Sequence, residues 1–289
     1  MATAGFNGLR VLSLESRRTE EAGRLIRTCG GQPIAAPAMR EIPLNSAGPV
    51  IEFAQALKAG AFDLVIFTTG VGVHSLIKTV SGHIDRDDFL GALRSVKIAA
   101  RGPKSSSALR ALGVPVTVAA TEPFTWRSLM QAMEATFGGA LSGMKIAVQE
   151  YGIANPEFLS ALAEKGALVT RVPVYQWALP ENAEPLREAI KTLSQGQIDV
   201  ALFMNAAQVA HLFLMAERMG STDALREGLR STVIASIGPS TTEGLSVYGL
   251  APDFEPSQSK MGFLIREVAE NAQRLLTQKR SGASGRHTQ

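Results

Sequence analysis

Phe62-Asp63-Leu64-Val65-Ile66-Phe67 recurs 136 positions later as Ile198-Asp199-Val200-Ala201-Leu202-Phe203. That recurrence limits the possible folds of this chain more than any other feature. Gly102-Pro103 returns as Gly238-Pro239, and Gly113 as Gly249, at the same spacing of 136. Arg10-Val11 and Gly31 return as Lys145-Ile146 and Gly166 at 135. Amphipathic stripes keep the register too. Val73, Leu76, Ile77 and Val80 share one helical face and are echoed by Val209, Leu212, Phe213 and Ala216. Trp126, Leu129, Met130 and Met133 are echoed by Met261, Leu264, Ile265 and Val268. With 289 residues and about 150 per domain, the chain is expected to hold two similar domains.

In the first copy, short apolar strands are expected at residues 10–14, around 34, and at 63–67, 96–100 and 114–118. Helices are expected over 20–29 and from about 71 and 105. Short apolar strands that alternate with helices indicate parallel sheets covered on both faces. The expected class is α/β, with two similar parallel-sheet domains produced by internal duplication.

Composition removes several functions. Hydrophobic residues make up 45% and charged residues 19%, a balance that can fill real cores. A net charge of +3, spread evenly, offers no basic face to nucleic acid. Cys29 is the single cysteine, which excludes an intrachain disulfide or a thiolate cluster; it reads as a small buried hydrophobe. His74, His83, His211 and His287 lack ligand spacing, so no metal site is expected. No run approaches the roughly 18 apolar residues of a spanning helix, and no leader pattern opens the chain. A cytoplasmic protein with no membrane partner is expected, ending in a disordered tail over residues 278–289.

Ligands of open α/β sheets sit beyond the carboxyl ends of the strands, which singles out four turns. Arg101-Gly102-Pro103-Lys104-Ser105 and Ile237-Gly238-Pro239-Ser240-Thr241-Thr242 each combine a glycine, a proline suited to helix entry, and hydroxyls. Backbone N–H groups at such a start suit a carboxylate or phosphate. A plain helix cap has the same composition, so Gly102, Ser105, Gly238, Ser240 and Thr241 stand as candidates under both readings. Thr68-Thr69-Gly70-Val71-Gly72 and Met204-Asn205-Ala206-Ala207-Gln208 form the second pair, with Thr68, Thr69 and Asn205 as hydrogen-bonding candidates. Ser75 occupies the place of the third glycine of a dinucleotide fingerprint, and Pro103 precedes Lys104 where a P-loop needs glycine; nucleotide binding is not expected. Arg17, after the first strand, suits an acidic ligand or a solvated position before an acidic helix. Tyr175, one of three tyrosines, is a residue for packing or for chemistry.

These pieces, in this order and spacing, resemble uroporphyrinogen-III synthases over residues 9–276. The matching segments are Phe67-Thr68-Thr69, Gly102-Pro103-Lys104-Ser105, Val172-Pro173-Val174-Tyr175-Gln176 and Ile237-Gly238-Pro239-Ser240-Thr241. The resemblance implies one discontinuous domain over residues 9–37 plus 179–276 and a second over 44–171. Linker strands at 38–43 and 173–178 would join them, with the active site in the cleft between the domains. It implies a cofactor-free lyase of haem, sirohaem and cobalamin biosynthesis acting on hydroxymethylbilane, a linear tetrapyrrole with acetate and propionate arms. The product would be uroporphyrinogen III, formed with inversion of the last pyrrole and loss of water. Tyr175 is implied as the proton donor, a phenol of ordinary pKa about 10. Thr68, Ser105 and Thr241 are implied as hydroxyls near the substrate.

Three features depart from the family pattern, the first being that Ser105 replaces what can be a threonine. Asn205 stands where serine or threonine is common, and Gly70-Val71-Gly72 lacks the polar or basic residue often found there. Asparagine can still donate to a carboxylate. A monomer is expected. The competing expectation is a non-catalytic module of the same fold that senses a tetrapyrrole or another small anion.

Overall fold

The computed structural model describes residues 5–42, 47–138, 141–152 and 155–284. The chain opens with β1 (Arg10–Ser13), α1 (Thr19–Thr28), β2 (Gln32–Ala35) and β3 (Arg40–Ile42). It continues through α2 (Gly48–Lys58), β4 (Leu64–Phe67), α3 (Gly70–Ser81), α4 (Arg86–Ser95), β5 (Lys97–Ala100) and α5 (Pro103–Ala111). Next come β6 (Val118–Ala119), α6 (Trp126–Phe137), β7 (Lys145–Gly152), α7 (Pro156–Glu164) and β8 (Leu168–Ala178). The last part runs α8 (Glu184–Ser194), β9 (Val200–Phe203), α9 (Ala206–Arg218), α10 (Thr222–Arg230), β10 (Val233–Ser236), α11 (Pro239–Ser246) and α12 (Met261–Ser284).

The chain divides into two compact units, Met1–Arg40 with Ala178–Gln289, and Glu41–Trp177. The first holds a four-stranded parallel sheet in the order β10-β9-β1-β2. The second holds a six-stranded sheet in the order β3-β8-β7-β4-β5-β6, parallel in every pairing from β8 to β6. Within it, β5-β4-β7-β8 follows the same order as β10-β9-β1-β2.

Side-chain alternation explains why β4 and β9 are apolar throughout. In β4, Val65 and Phe67 join one core with α2, α3 and α4, while Leu64 and Ile66 join another with α6 and α7. In β9, Ala201 and Phe203 face α8, α9 and α10, and Val200 and Leu202 face α1 and α12. A strand buried on both faces has no polar face to show. Cys29, partly buried, packs against the α1–α12 core, and burial pushes its thiol pKa up. Among the described residues no helix is long and apolar enough to cross a membrane.

Two expectations are corrected. In place of a strand over residues 114–118, only Val118–Ala119 pairs with β5. Pro115 has no N–H for a ladder, and the preceding stretch is fastened by Thr117, whose N–H donates to the Ile98 carbonyl at 2.9 Å. The tail expected from residue 278 is instead helical through Ser284. Lys279 salt-bridges Asp253, and Arg280 salt-bridges Asp199 at 2.8 Å, so charges that read as solvated find partners on the sheet's amino edge. Residues 285–289 lie outside the described residues.

Candidate functional site

The second unit's strand ends carry the most developed site. Beyond β4, Thr69 caps α3, its hydroxyl oxygen accepting from the Gly72 N–H at 3.0 Å. The Thr68 hydroxyl donates to the Gln149 carbonyl at 3.0 Å, and the Thr68 N–H donates to Gln149 Oε1 at 3.3 Å. Gln149, buried within β7, donates from Nε2 to the Glu150 carbonyl at 2.7 Å. The two nearby glycines make this packing possible. A Cβ on Gly72 would lie 2.2 Å from Gln149 Nε2, and one on Gly70 would lie 2.6 Å from the Lys104 carbonyl oxygen. Gly70-Val71-Gly72 therefore brings α3 close to β7 and to the start of α5.

Glu150 follows Gln149 and points into the same region. Its carboxylate is only 8% exposed and accepts from Arg171 Nε at 2.8 Å and Nη2 at 3.0 Å. Arg171, on β8, is 57% exposed, and its pKa is raised first by this hydrogen bonding and then by the carboxylate's charge. A cavity of about 80 Å³ lies here, lined by Thr68, Thr69, Arg101, Val148, Glu150, Asn155, Phe158 and Leu159. Asn155 caps α7, accepting from the Phe158 N–H at 3.0 Å. Pockets for drug-sized ligands span roughly 300–1,000 Å³, so this cavity can hold one small group rather than a whole macrocycle.

The remaining candidates of this unit are placed differently. Gly102 is the N-cap of α5. Ser105 is buried, and its hydroxyl is committed to Gly102, donating to the carbonyl at 2.9 Å and accepting from the N–H at 3.3 Å. Tyr175 is 3% exposed within the core of the unit, its ring edge-on to Trp177 at 5.5 Å. It lies in the carboxyl half of β8 but is not part of the cavity wall.

The first unit gathers its candidates at the carboxyl edge of its own sheet. After β1, Glu15 Oε1 accepts from the N–H groups of Arg17 and Arg18 at 3.0 and 3.2 Å, and the Arg17 side chain is exposed. After β9, Asn205 caps α9 by accepting from the Gln208 N–H at 3.0 Å. Gln208, fully buried, accepts from the Met204 N–H at 2.7 Å and reaches Glu15 at 3.4 Å. After β10, Ser236, Gly238 and Thr242 form a hydrogen-bonded turn, with Thr242 Oγ1 2.9 Å from Ser236 Oγ and also bonded to Glu255. Ser240 is exposed on this turn, whereas Thr241 is 3% exposed and faces the interior. Among the described residues no group of three or more His, Cys, Asp or Glu side chains converges as a metal site would.

A family model described as uroporphyrinogen-III synthase HemD matches residues 20–266. The chain belongs to the uroporphyrinogen-III synthase family. Its sequence is 33% identical over 269 residues to a Bacillus subtilis protein named uncharacterized protein YjjA, covering 92% of this chain and 97% of that one. Its fold is similar to a crystal structure of mutant uroporphyrinogen III synthase from the extremely thermophilic bacterium Thermus thermophilus. That match has a TM-score of 0.73 and 26% identity and covers 94% of this chain and 100% of the other. The wild-type form of the same synthase matches with a TM-score of 0.59 at 27% identity, over 94% and 99% of the two chains.

Against this uroporphyrinogen-III synthase framework, the sequence reading missed Gln149, Glu150 and Asn155, and it passed over Arg101 within a turn it had singled out. A signal for Glu150 was present. Glu15 and Glu150 stand 135 positions apart, the spacing that relates Arg10 to Lys145; Glu15 follows the central strand β1, and Glu150 lies in the carboxyl half of the central strand β7. Nothing in the local sequence marks Asn155, because its place on the cavity depends on how α7 returns beside β4.

Proposed function

We propose that this chain is a uroporphyrinogen-III synthase in activity as well as in family. The observation that carries this reading is the family match across residues 20–266, and the groups at the two sheet edges support it. A linear tetrapyrrole with acetate and propionate arms needs N–H groups, hydroxyls and a few cations to hold its carboxylates. Thr69 and Arg101 on one sheet edge are of that kind, as are Arg17, Asn205 and Ser240 on the other, while Thr68, whose hydroxyl donates to the Gln149 carbonyl, holds the turn beside them. The Gly102-Pro103 and Gly238-Pro239 helix starts add backbone donors. Ser105 and Thr241, both buried, serve by shaping those turns.

The reaction begins when the terminal hydroxyl of hydroxymethylbilane leaves as water. The last pyrrole is then inverted through a spiro intermediate and the ring closes. Tyr175 is the proton donor on the strength of its matching position in Val172-Pro173-Val174-Tyr175-Gln176, since a phenol of ordinary pKa about 10 is protonated at neutral pH. Its place in a packed core fits a group held in one orientation. No cofactor is needed, and the chain acts as a cytoplasmic monomer. Internal duplication belongs to the same proposal, with β3 and the end of β8 as linker strands. The shared strand order β5-β4-β7-β8 and β10-β9-β1-β2 supports it.

Turnover of freshly generated hydroxymethylbilane, with separation of the product isomers, tests the reading. Spontaneous closure yields isomer I, so isomer III forming in proportion to added protein is the expected result. Isomer I alone, beside a working control enzyme, would leave the non-catalytic tetrapyrrole or anion sensor as the function.

A further inference from the structure

We infer that the Glu150 carboxylate accepts the N–H of the reacting pyrrole and stabilises the cation formed when the terminal hydroxyl leaves. This inference rests on the synthase reading. In that step the C–O bond of the hydroxymethyl group breaks with its electron pair going to oxygen. A proton from the donor completes the water, and the positive charge left behind is shared by the methylene carbon and the pyrrole nitrogen. The N–H of that nitrogen becomes a stronger donor as the charge develops, so an anion already in place binds the transition state better than the ground state.

Glu150 has the features this role needs. Its carboxylate is 8% exposed and lines the cavity, so its field acts in a medium that screens poorly. Arg171 donates to both oxygens from β8, fixing the group in one orientation. Each carboxylate oxygen has two lone pairs and one bond to Arg171, leaving acceptor capacity on both. The wall carries both signs of charge, with Arg101 beside Glu150. A purely anion-binding pocket has no use for a buried carboxylate. A pyrrole ring, which presents an N–H donor and a carboxylate arm together, is complementary to both.

The alternative is that Glu150 and Arg171 only fasten β7 to β8. Glu150→Gln and Glu150→Asp in the full chain separate the two, assayed with freshly generated hydroxymethylbilane and followed by thermal melting. Glu150→Gln keeps the shape and removes the charge. It is expected to lower kcat for isomer III by roughly 10²-fold, with KM held within about threefold and a near wild-type melting midpoint. Glu150→Asp keeps the charge and should retain about tenfold more activity than Glu150→Gln. Glu150→Gln within about twofold of the wild type, or Glu150→Asp no better than Glu150→Gln, overturns the inference while the synthase reading stands. Wild-type protein yielding only isomer I overturns both. Should Glu150→Gln not fold, an unchanged kcat in Glu150→Asp overturns the inference, and a loss of about tenfold at constant KM supports it.

Discussion

One oxygen of Asp199 accepts the backbone N–H of Arg10 at 2.8 Å, while the other holds the Arg280 guanidinium at 2.8 Å. Asp63 does the first of these for Lys145, also at 2.8 Å. In each unit the same aspartate returns its own N–H to the partner's carbonyl, Asp199 to Arg10 at 3.0 Å and Asp63 to Lys145 at 2.9 Å. The amino edge of a parallel sheet leaves strand N–H groups without ladder partners, and a carboxylate just before the neighbouring strand supplies one. Asp199→Ala is expected to destabilise the protein by about 1.5–3 kcal/mol, the range for a hydrogen bond to a charged group. Arg280→Ala, with a guanidinium 43% exposed, should cost under about 1 kcal/mol. Denaturation midpoints of the two variants check both, and equal losses would show that the ion pair, not the strand anchor, is the stabilising contact.

Residue type reveals the sheet more readily than the site. The run at 63–67 is legible because β4 is buried on both faces, and such a strand is written as continuous apolar residues. The four turns are legible because glycine, proline and capping hydroxyls have few other uses. What those hydroxyls bond to is not. Ser105 and Thr69 have similar sequence settings, yet Ser105 closes on its own cap while Thr69 caps α3 and also lines the cavity. Glu150 is hidden because an acidic residue toward the end of a strand reads as solvated until its partner, Arg171, arrives from another strand. The charged end of α12 misleads for the same reason, since Asp199 and Asp253 are remote in sequence from Lys279 and Arg280.

Gly72→Ala tests the close approach of α3 to β7. A Cβ there meets Gln149 Nε2 at 2.2 Å, and Gln149, 1% exposed, is held in place by its bonds to Thr68 and Glu150. The side chain must give up its bonds to the Thr68 N–H and the Glu150 carbonyl. The expected cost is about 1–3 kcal/mol, typical of overpacking, with loss of activity because both neighbours shape the cavity. Gly72→Ala combined with Gln149→Ala should recover part of the stability, since the clash is removed. A double variant less stable than the sum of the two single losses would place the clash elsewhere.

His211 gives the fold a pH dependence. It is 5% exposed, with Nδ1 3.1 Å from the Ala38 carbonyl oxygen. Burial lowers its pKa and the charge of Arg218 adds to this, while the Ala38 hydrogen bond opposes both. The unfolded chain takes up a proton near pH 6.5, and the folded chain only at lower pH. This contribution to stability is therefore full above about pH 6.5 and is lost as pH falls toward and through the folded pKa. Denaturation midpoints measured from about pH 7 down to pH 5 should fall in the wild type and change less in His211→Gln. Parallel profiles would remove His211 as the cause.

Tyr175→Phe separates the two uses of the tyrosine. The ring is 3% exposed and packs edge-on against Trp177, and phenylalanine keeps that ring and its contacts. Loss of one oxygen at constant shape should cost less than about 1.5 kcal/mol of stability, so the melting midpoint reports the packing role alone. If the phenol delivers the proton that completes water, kcat for isomer III should fall by about 10²- to 10⁴-fold, the usual contribution of a positioned acid. KM should change little, because the proton moves only as the C–O bond breaks. A folded Tyr175→Phe protein with unchanged kcat would make Tyr175 a packing residue of β8. The proton would then have to come from another group at the strand ends, with the Thr69 hydroxyl on the cavity wall the next to substitute.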